Sequence, residues 1–353
     1  MSLADWRRKV DELDLQILQL ISRRAEMVEE IGKTKATSGR TIFVPSREKA
    51  IYARLRKLNN GPLPHAAVHA VFREIISGCR SLEEESKVAY LGPEATFTHV
   101  AAYDIFGHAA QYVACRDIRS VFAAVETARA QCGVVPIENS SEGAVSETLD
   151  TFLTSELGIL SEEVLPIHLN LLGSGSLGDV RRIASKPIAL AQCRDWLAEN
   201  LPDAEIVQTP STAQAAEQAA QDPDTAVVAH EMAARIYRLK ILQARIEDVE
   251  RNVTRFLVIG PDSPRRTGRD KTSMLCSVRH ESGGLWGLLQ IIKKRSINMT
   301  YIYPRPSRDK PWEYFFFIDL EGHRQDDNVA AVLKDAEAYC SSFKVLGSFP
   351  KAD

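Results

Sequence analysis

Gly133-Val134-Val135-Pro136-Ile137-Glu138-Asn139-Ser140-Ser141-Glu142-Gly143-Ala144-Val145-Ser146-Glu147-Thr148-Leu149-Asp150 is the stretch that decides the fold. Its apolar start, 134–137, reads as a short buried strand. Pro136 and the polar cluster behind it are expected to end that strand, and a helix to begin near Ala144. Between them lies a turn carrying Glu138, Asn139, Ser140 and Ser141, with Gly143 giving the backbone room to bend. In an open α/β sheet, ligands sit beyond the carboxyl ends of the strands. A turn so rich in donors and acceptors is therefore a candidate small-molecule site; it also fits an ordinary strand-to-helix loop.

Around this stretch, strand-like runs recur at 88–91, 112–114, 159–172, 206–208, 226–229 and 256–259, with helical segments between most of them. That alternation predicts a doubly wound α/β fold, and 87–262 is long enough for two lobes around a cleft. Polar groups gather where helices start: Gly92-Pro93-Glu94-Ala95-Thr96-Phe97, Thr209-Pro210-Ser211-Thr212 and Asn139-Ser140-Ser141. Helix N-termini offer free N–H groups and a positive dipole end, which suit carboxylates, although plain capping uses the same residues. Asn252-Val253-Thr254-Arg255-Phe256 enters the last strand, where a hydroxyl and a cation would face the cleft. A lone His168, ending an apolar run, reads more readily as a satisfied edge histidine than as a general base.

Beyond this region, 261–270 holds two prolines, a glycine and several charges and reads as a linker. The order strand, helix, strand, strand, helix, strand then predicts a ferredoxin-like βαββαβ unit over 271–353. Phe315-Phe316-Phe317 does not alternate, so its strand should be covered on both faces, by helices on one side and by a partner chain on the other.

Residues 1–86 read as three helices. Ser2-Leu3-Ala4-Asp5 resembles a capping box. The first apolar stripe runs Val10, Leu13, Ile17, Leu20, Met27, Ile31 with Arg24 in its gap and Lys35 four residues beyond. The second, Val44, Glu48, Ile51, Leu55, Leu58, has Arg47 alongside; the third, Val68, Phe72, Ile76, Cys79, ends on Glu83. Unpaired buried charges are costly, so charges on three inner faces point to a polar pocket for an anion. A first helix of this length suggests a bundle or coiled coil.

The 353 residues are 44% hydrophobic and 26% charged, as in soluble globular proteins. A net charge of −3 gives no electrostatic support for nucleic-acid binding. The six cysteines form no C-x-x-C pair, arguing against a zinc site or disulfide framework and suiting a reducing cytoplasm. No apolar run is long enough to span a membrane, and the charged N-terminus lacks a secretory signal.

Three family resemblances follow in chain order. Residues 1–86 resemble the all-helical (AroQ-type) chorismate mutase domain through Arg7-Arg8-Lys9-Val10-Asp11-Glu12-Leu13-Asp14, Ser22-Arg23-Arg24, Ile31-Gly32-Lys33-Thr34-Lys35 and Arg47-Glu48. The resemblance implies an intertwined dimer in which Arg7 of the partner chain, Arg24 and Arg47 hold two substrate carboxylates. Lys35 would bond the ether oxygen and Glu48 the ring hydroxyl. Val44 stands where many members have Asp, Cys79 where Ser is common at the substrate, and Glu83 where the ether-side donor is often Gln. A Glu donates only when protonated, so mutase activity is expected to weaken as pH rises.

Residues 87–262 resemble prephenate dehydratase through Tyr90-Leu91-Gly92-Pro93, Val135-Pro136-Ile137-Glu138-Asn139-Ser140, Glu147-Thr148-Leu149-Asp150, Leu165-Pro166-Ile167-His168, Ala191-Gln192-Cys193, Ser211-Thr212-Ala213 and Thr254-Arg255-Phe256. This implies loss of CO2 and water from prephenate to give phenylpyruvate, with no metal or organic cofactor. Thr254 would serve the departing hydroxyl. Arg255, Asn139, Ser140 and Thr148 would bind carboxylates or order the turn, Glu138 would position, and Ser211 and Thr212 would close the far lobe. Thr96, Gln192 and Phe256 complete the expected substrate site. Ala95 replaces the usual Gly of Gly-Pro-x-Gly-Thr-Phe, and Lys186-Pro187-Ile188 a usual His-Pro-Gln.

The C-terminal unit is similar to phenylalanine-binding ACT domains through Lys271-Thr272-Ser273, Gly284-Leu285, Ile297-Asn298-Met299-Thr300, Arg305-Pro306-Ser307 and Trp312-Glu313-Tyr314. Gly283, Gly284, Leu285 and Asn298, with Arg305 and Pro306, would form an L-phenylalanine site at a dimer interface. Tyr303-Pro304 stands in place of the usual Glu-Ser, and Gly-Gly-Leu in place of Gly-Ala-Leu.

The expectation is thus a multidomain, cytoplasmic, homodimeric or larger enzyme acting on chorismate and prephenate and feedback-inhibited by L-phenylalanine. Left open are an inactive mutase arm used for dimerisation, an arogenate preference, and a non-catalytic two-lobed ligand sensor.

Overall fold

The computed structural model describes residues 1–36, 43–83, 86–249, 251–307 and 313–352, without the side chains of Lys35 and Ala36. Three helices come first: α1 (Leu3–Ala36), α2 (Pro45–Leu58) and α3 (His65–Glu83). Ser2 and Asp5 form the expected reciprocal cap, Ser2 N to Asp5 Oδ2 at 2.9 Å and Asp5 N to Ser2 Oγ at 3.2 Å. Pro45 sits in the first turn of α2, where its missing N–H costs nothing. The α1 stripe is not covered within one chain: Val10, Leu13, Ile17, Leu20, Met27 and Ile31 are each more than half exposed. No helix among the described residues is long and apolar enough to cross a membrane.

The next stretch builds two lobes. In chain order it runs β1 (Lys87–Leu91), α4 (Phe97–Phe106), β2 (Gln111–Cys115), α5 (Ile118–Glu126), β3 (Cys132–Asn139), β4 (Gly143–Ala144), α6 (Ser146–Phe152) and β5 (Gly158–Pro166). The second lobe follows with β6 (Asn170–Gly173), β7 (Arg182–Ser185), α7 (Pro187–Ala191), α8 (Arg194–Asn200), β8 (Glu205–Gln208), α9 (Thr212–Gln221), β9 (Thr225–Ala229), α10 (Glu231–Tyr237) and β10 (Lys240–Gln243). β11 (Val253–Gly260) returns to the first lobe. The first sheet is ordered β2-β1-β3-β11-β5, with β4 on β3, and the second β10-β6-β9-β7-β8.

Three sequence expectations are corrected. Pro136 does not end its strand: β3 continues to Asn139, and the pairing register of β11 shifts between Arg255 and Phe256, leaving Phe256 opposite Pro136. A bulge absorbs the missing ladder donor. The 159–172 run is two strands in two sheets, and the chain crosses between lobes at 167–169. Three short strands, β4, β7 and β10, were not anticipated; their residues are too few and too mixed to carry a periodic signal.

The C-terminal unit is β12 (Asp270–Ser277), α11 (Gly284–Lys294), β13 (Met299–Pro306), β14 (Tyr314–Glu321), α12 (Asp327–Tyr339) and β15 (Ser342–Pro350), in an antiparallel sheet ordered β13-β14-β12-β15. This is the expected ferredoxin-like order. Phe316 packs with the helices of its own unit, while Phe317 joins Leu275, Leu346 and Phe349 in a core shared with Phe122, Phe152 and Leu257 of the first lobe. Phe317 is therefore covered by the first lobe of the same chain rather than by a partner. Trp312 lies outside the described residues.

Candidate active sites

The helices enclose a cavity of about 1240 Å³. Arg24, Arg47, Glu48, Cys79 and Glu83 line it, as does Val44. Its described walls hold eight Lys or Arg and four Asp or Glu side chains, a surplus that suits a dianion. Arg24 has a guanidinium nitrogen, Nη1, shielded from solvent and without a hydrogen-bond partner among the described residues. Arg7 is exposed on α1 and does not line its own chain's cavity. The side chain of Lys35 lies outside the described residues. One wall was unforeseen: Leu160, Asp262, Pro264, Arg265, Thr267 and Lys351 come from the sheet lobe, the expected linker and the chain end. That linker is an ordered turn, because the buried Asp270 carboxylate accepts from Thr267 N at 2.8 Å and from Gly268 N at 2.9 Å.

The second site lies between the lobes. Thr254 and Asn139 face one another across β11 and β3. Asn139 Nδ2 donates to Thr254 Oγ1 at 2.8 Å and to Asn252 Oδ1 at 3.1 Å. Asn139 Oδ1 accepts from Ser141 N at 2.8 Å and Glu142 N at 3.2 Å, so one amide sets both the turn and the hydroxyl. Ser140 closes the turn on the same strand: its N donates to Val253 O at 2.9 Å and its Oγ accepts from Val253 N at 3.0 Å. From the far lobe, Gln192 Nε2 comes to 3.5 Å from Glu142 Oε1, and the His230 ring meets Phe97 edge-on at 5.5 Å.

The comparisons with known proteins now apply. A chorismate mutase type II family model matches residues 6–84, and a prephenate dehydratase model matches 88–264. A bifunctional chorismate mutase/prephenate dehydratase of Aquifex aeolicus is 46% identical over 99% of this chain and 98% of its own length. The chain belongs to the bifunctional chorismate mutase/prephenate dehydratase family. The Neisseria gonorrhoeae member is 42% identical over 99% of this chain and 97% of its own length. The solved prephenate dehydratase of Arthrobacter aurescens in complex with L-Phe is 34% identical, covers 75% of this chain and 90% of its own, and superposes with a TM-score of 0.70. The chain is thus an enzyme of phenylalanine biosynthesis with mutase and dehydratase units.

Within the dehydratase unit, several expected site residues lie elsewhere. Arg255 follows Thr254 in the strand, so its side chain leaves by the opposite face. It is buried, with Nη2 2.7 Å from Glu162 Oε2 and 2.6 Å from Asp319 Oδ2 of the C-terminal sheet. Phe256 is a core residue, 1% exposed. Thr148 is fully buried, and its Oγ1 donates to Pro136 O at 2.6 Å, tying α6 to β3. Thr96 and Ser211 cap α4 and α9, accepting from His99 N at 3.3 Å and Gln214 N at 3.1 Å, with Thr212 half-buried behind the second cap. Glu138 lies opposite Arg255 in the ladder, and burial pushes its carboxyl up. His168 is held by Glu247, Nδ1 to Oε1 at 2.8 Å, at the crossing between lobes.

Ala95, where the family motif has glycine, adopts φ +63°, the left-handed region glycine tolerates best. Its N donates to Nδ1 of His99, whose ring stacks on Tyr90 at 4.4 Å. Burial pushes the His99 imidazole down to about 4.

Two residues were missed. Asn252 is buried and accepts from Asn139; its place just before the strand was the only sequence signal. Arg80 is 5% exposed, forms an ion pair with Glu48, and lies over the rings of Phe43 at 5.3 Å and Phe106 at 5.5 Å. It falls four residues after Ile76, on the inner stripe of α3, and that register was the overlooked signal.

In the C-terminal unit, Gly283 has φ +84° and opens α11; a Cβ on Gly284 would come within 2.6 Å of Arg279 O, so the loop is closed to larger residues. Leu285 is half-buried, and Asn298 and Pro306 are exposed. Arg305 is bonded across the unit boundary to Asp150.

Proposed function

We propose that the helical cavity rearranges chorismate to prephenate through Arg24, Arg47, Lys35, Glu48 and Glu83, with Arg7 supplied by a second copy. The rearrangement is pericyclic and moves no proton on carbon. What such a cavity contributes is a compact substrate conformation and charge to match the ether oxygen. The uncovered α1 stripe and the absence of Arg7 from its own cavity support a paired assembly. Six unpaired cysteines accord with a reducing cytoplasm.

In the cleft, the bond to the ring carboxylate breaks, its electron pair aromatises the ring, and the ring C–O bond releases hydroxide, which becomes water on protonation. The Asn139–Thr254 contact carries this reading: the amide N–H occupies one acceptor position of Oγ1, leaving the hydroxyl proton to donate to the departing oxygen. Gln192 binds the substrate's remaining polar groups, while Asn139 and Ser140 order the turn beside them. The C-terminal unit acts as an ACT-type domain binding L-phenylalanine through the 283–285 loop and Asn298.

Thr254→Ala tests it. Dehydratase turnover should fall ~100-fold or more, the scale of a lost proton donor, with mutase activity retained. Full dehydratase activity in this variant would overturn the assignment.

A further inference from the structure

We infer that the dehydratase site is completed from outside its own unit: Asp319 of β14 and Arg255 of β11 form a positioning pair that aims Thr254. The inference rests on the reading of Thr254 as the donor.

Arg255 borders the register shift between β11 and β3, where β3 carries one extra residue, Ile137, between the partners of Arg255 and Phe256. Bulges next to active sites re-aim side chains, so the aim of Thr254 on the facing strand depends on how firmly its neighbour Arg255 is held. Arg255 is fixed by charge. Its Nε donates to Glu162 Oε2 at 2.7 Å, and its Nη2 lies 2.6 Å from Asp319 Oδ2. Glu162 also takes Lys271 Nζ at 2.9 Å and Ala352 N at 2.9 Å. Ser273 Oγ donates to Asp319 Oδ1, and the Tyr301 ring lies 5.7 Å from the guanidinium. Glu162 and Asp319 are almost wholly buried, so water cannot replace a missing member. Burial would raise the Glu162 carboxyl, but Arg255 and Lys271 outweigh it and hold it below the ordinary range.

Four of these groups, Lys271, Ser273, Asp319 and Tyr301, belong to the C-terminal sheet, as does Ala352 just beyond its last strand. The pair to Asp319 is close but not aligned as a hydrogen bond, and the Tyr301 hydroxyl has no hydrogen-bond partner among the described residues. Asp319 therefore acts on Arg255 through charge at short range, and any displacement of β14 is felt at the residue next to Thr254.

The test is made in the full chain with Asp319→Asn, Arg255→Lys, Arg255→Met and the Asp319→Asn/Arg255→Met double variant. Dehydratase kcat and KM, mutase kcat/KM and Tm are measured for each. Asp319→Asn should lower dehydratase kcat about tenfold with KM within about twofold, and the double variant should be no worse than Arg255→Met alone, the signature of one coupled unit. Arg255→Lys should retain more turnover than Arg255→Met, and mutase activity should not move. Full kcat in Asp319→Asn, or losses that multiply in the double variant, overturns the inference. Should Asp319→Asn fail to fold, Ser273→Ala loosens the same carboxylate and must lower kcat in the same way; unchanged kcat there also overturns it. Failure of the Thr254 reading is distinct, because it appears as an active Thr254→Ala.

Discussion

Arg305, near the end of β13, closes a two-pronged ion pair on Asp150 of α6, Nε to Oδ1 at 2.6 Å and Nη2 to Oδ2 at 2.8 Å. A residue expected at the effector site is thus a clamp between the C-terminal sheet and the helix that carries Thr148. Bidentate pairs of this kind fix orientation as well as distance.

Arg305→Ala should therefore uncouple the units more than it unfolds them. The Asp150 side chain is 8% exposed and that of Arg305 27%, so a loss of about 1–2 kcal/mol is expected after allowing for solvent screening. Thermal unfolding with and without L-phenylalanine checks it. The variant should show a smaller L-phenylalanine shift and weaker dehydratase inhibition; an undiminished response would count against the clamp.

Arg80→Met should damage the mutase and spare the dehydratase. Removing the cation takes the Arg80 ion pair from Glu48 in a largely enclosed wall, which costs on the order of a few kcal/mol and shifts the carboxylate. Mutase kcat/KM should drop by roughly 10- to 100-fold, with partial recovery in Arg80→Lys. Unchanged mutase kinetics in Arg80→Met would remove Arg80 from the site.

Gly32 of α1 lies against Glu83, and a Cβ there would stand 3.1 Å from Glu83 Cγ. Gly32→Ala should push Glu83 aside and lower mutase activity. Glu83→Gln keeps a hydrogen-bond donor at this position, so it should retain more mutase activity than Glu83→Ala. Equal losses in Glu83→Gln and Glu83→Ala would remove Glu83 as the ether-side donor.

Stability should fall on mild acidification. Burial lowers His99 and His230 to about 4 from 6.5. Between those values the unfolded chain takes up protons that the folded chain refuses, so stability rises with pH through this window and is lost below it. Complete passage through the window costs on the order of 3 kcal/mol for the fully enclosed His99. Glu162, held low, gives way only at still lower pH, as the medium passes through its folded value. Denaturant titrations at pH 7, 5.5 and 4.5 should show a shallower dependence in His99→Gln; an identical slope would exclude His99 as a contributor.

The helices and the βαββαβ order were legible because long amphipathic periods and regular alternation survive tertiary context. The inner charges of the bundle were legible for the same reason, since Arg24, Glu48 and Glu83 interrupt apolar stripes. The Thr254-Arg255 pair misled, although strand geometry was enough to separate it: neighbours in a strand cannot both face one cleft. Pro136 misled because a bulge at its neighbour Ile137, visible only in the pairing with β11, accommodates it. The place of Arg80 was readable from its register on α3, but the pairings were not: Glu48 lies 32 residues from Arg80, and Asp319 lies 64 residues from Arg255.

The wall that residues 262–267, Arg269 and Lys351 give the helical cavity bears on how this chain can be cut or rebuilt. A fragment stopped at residue 86 would keep Arg24, Arg47 and Glu48 but open its basin to bulk water on that side. Grafting the front helices onto another protein would carry over the reacting groups and leave part of their container behind.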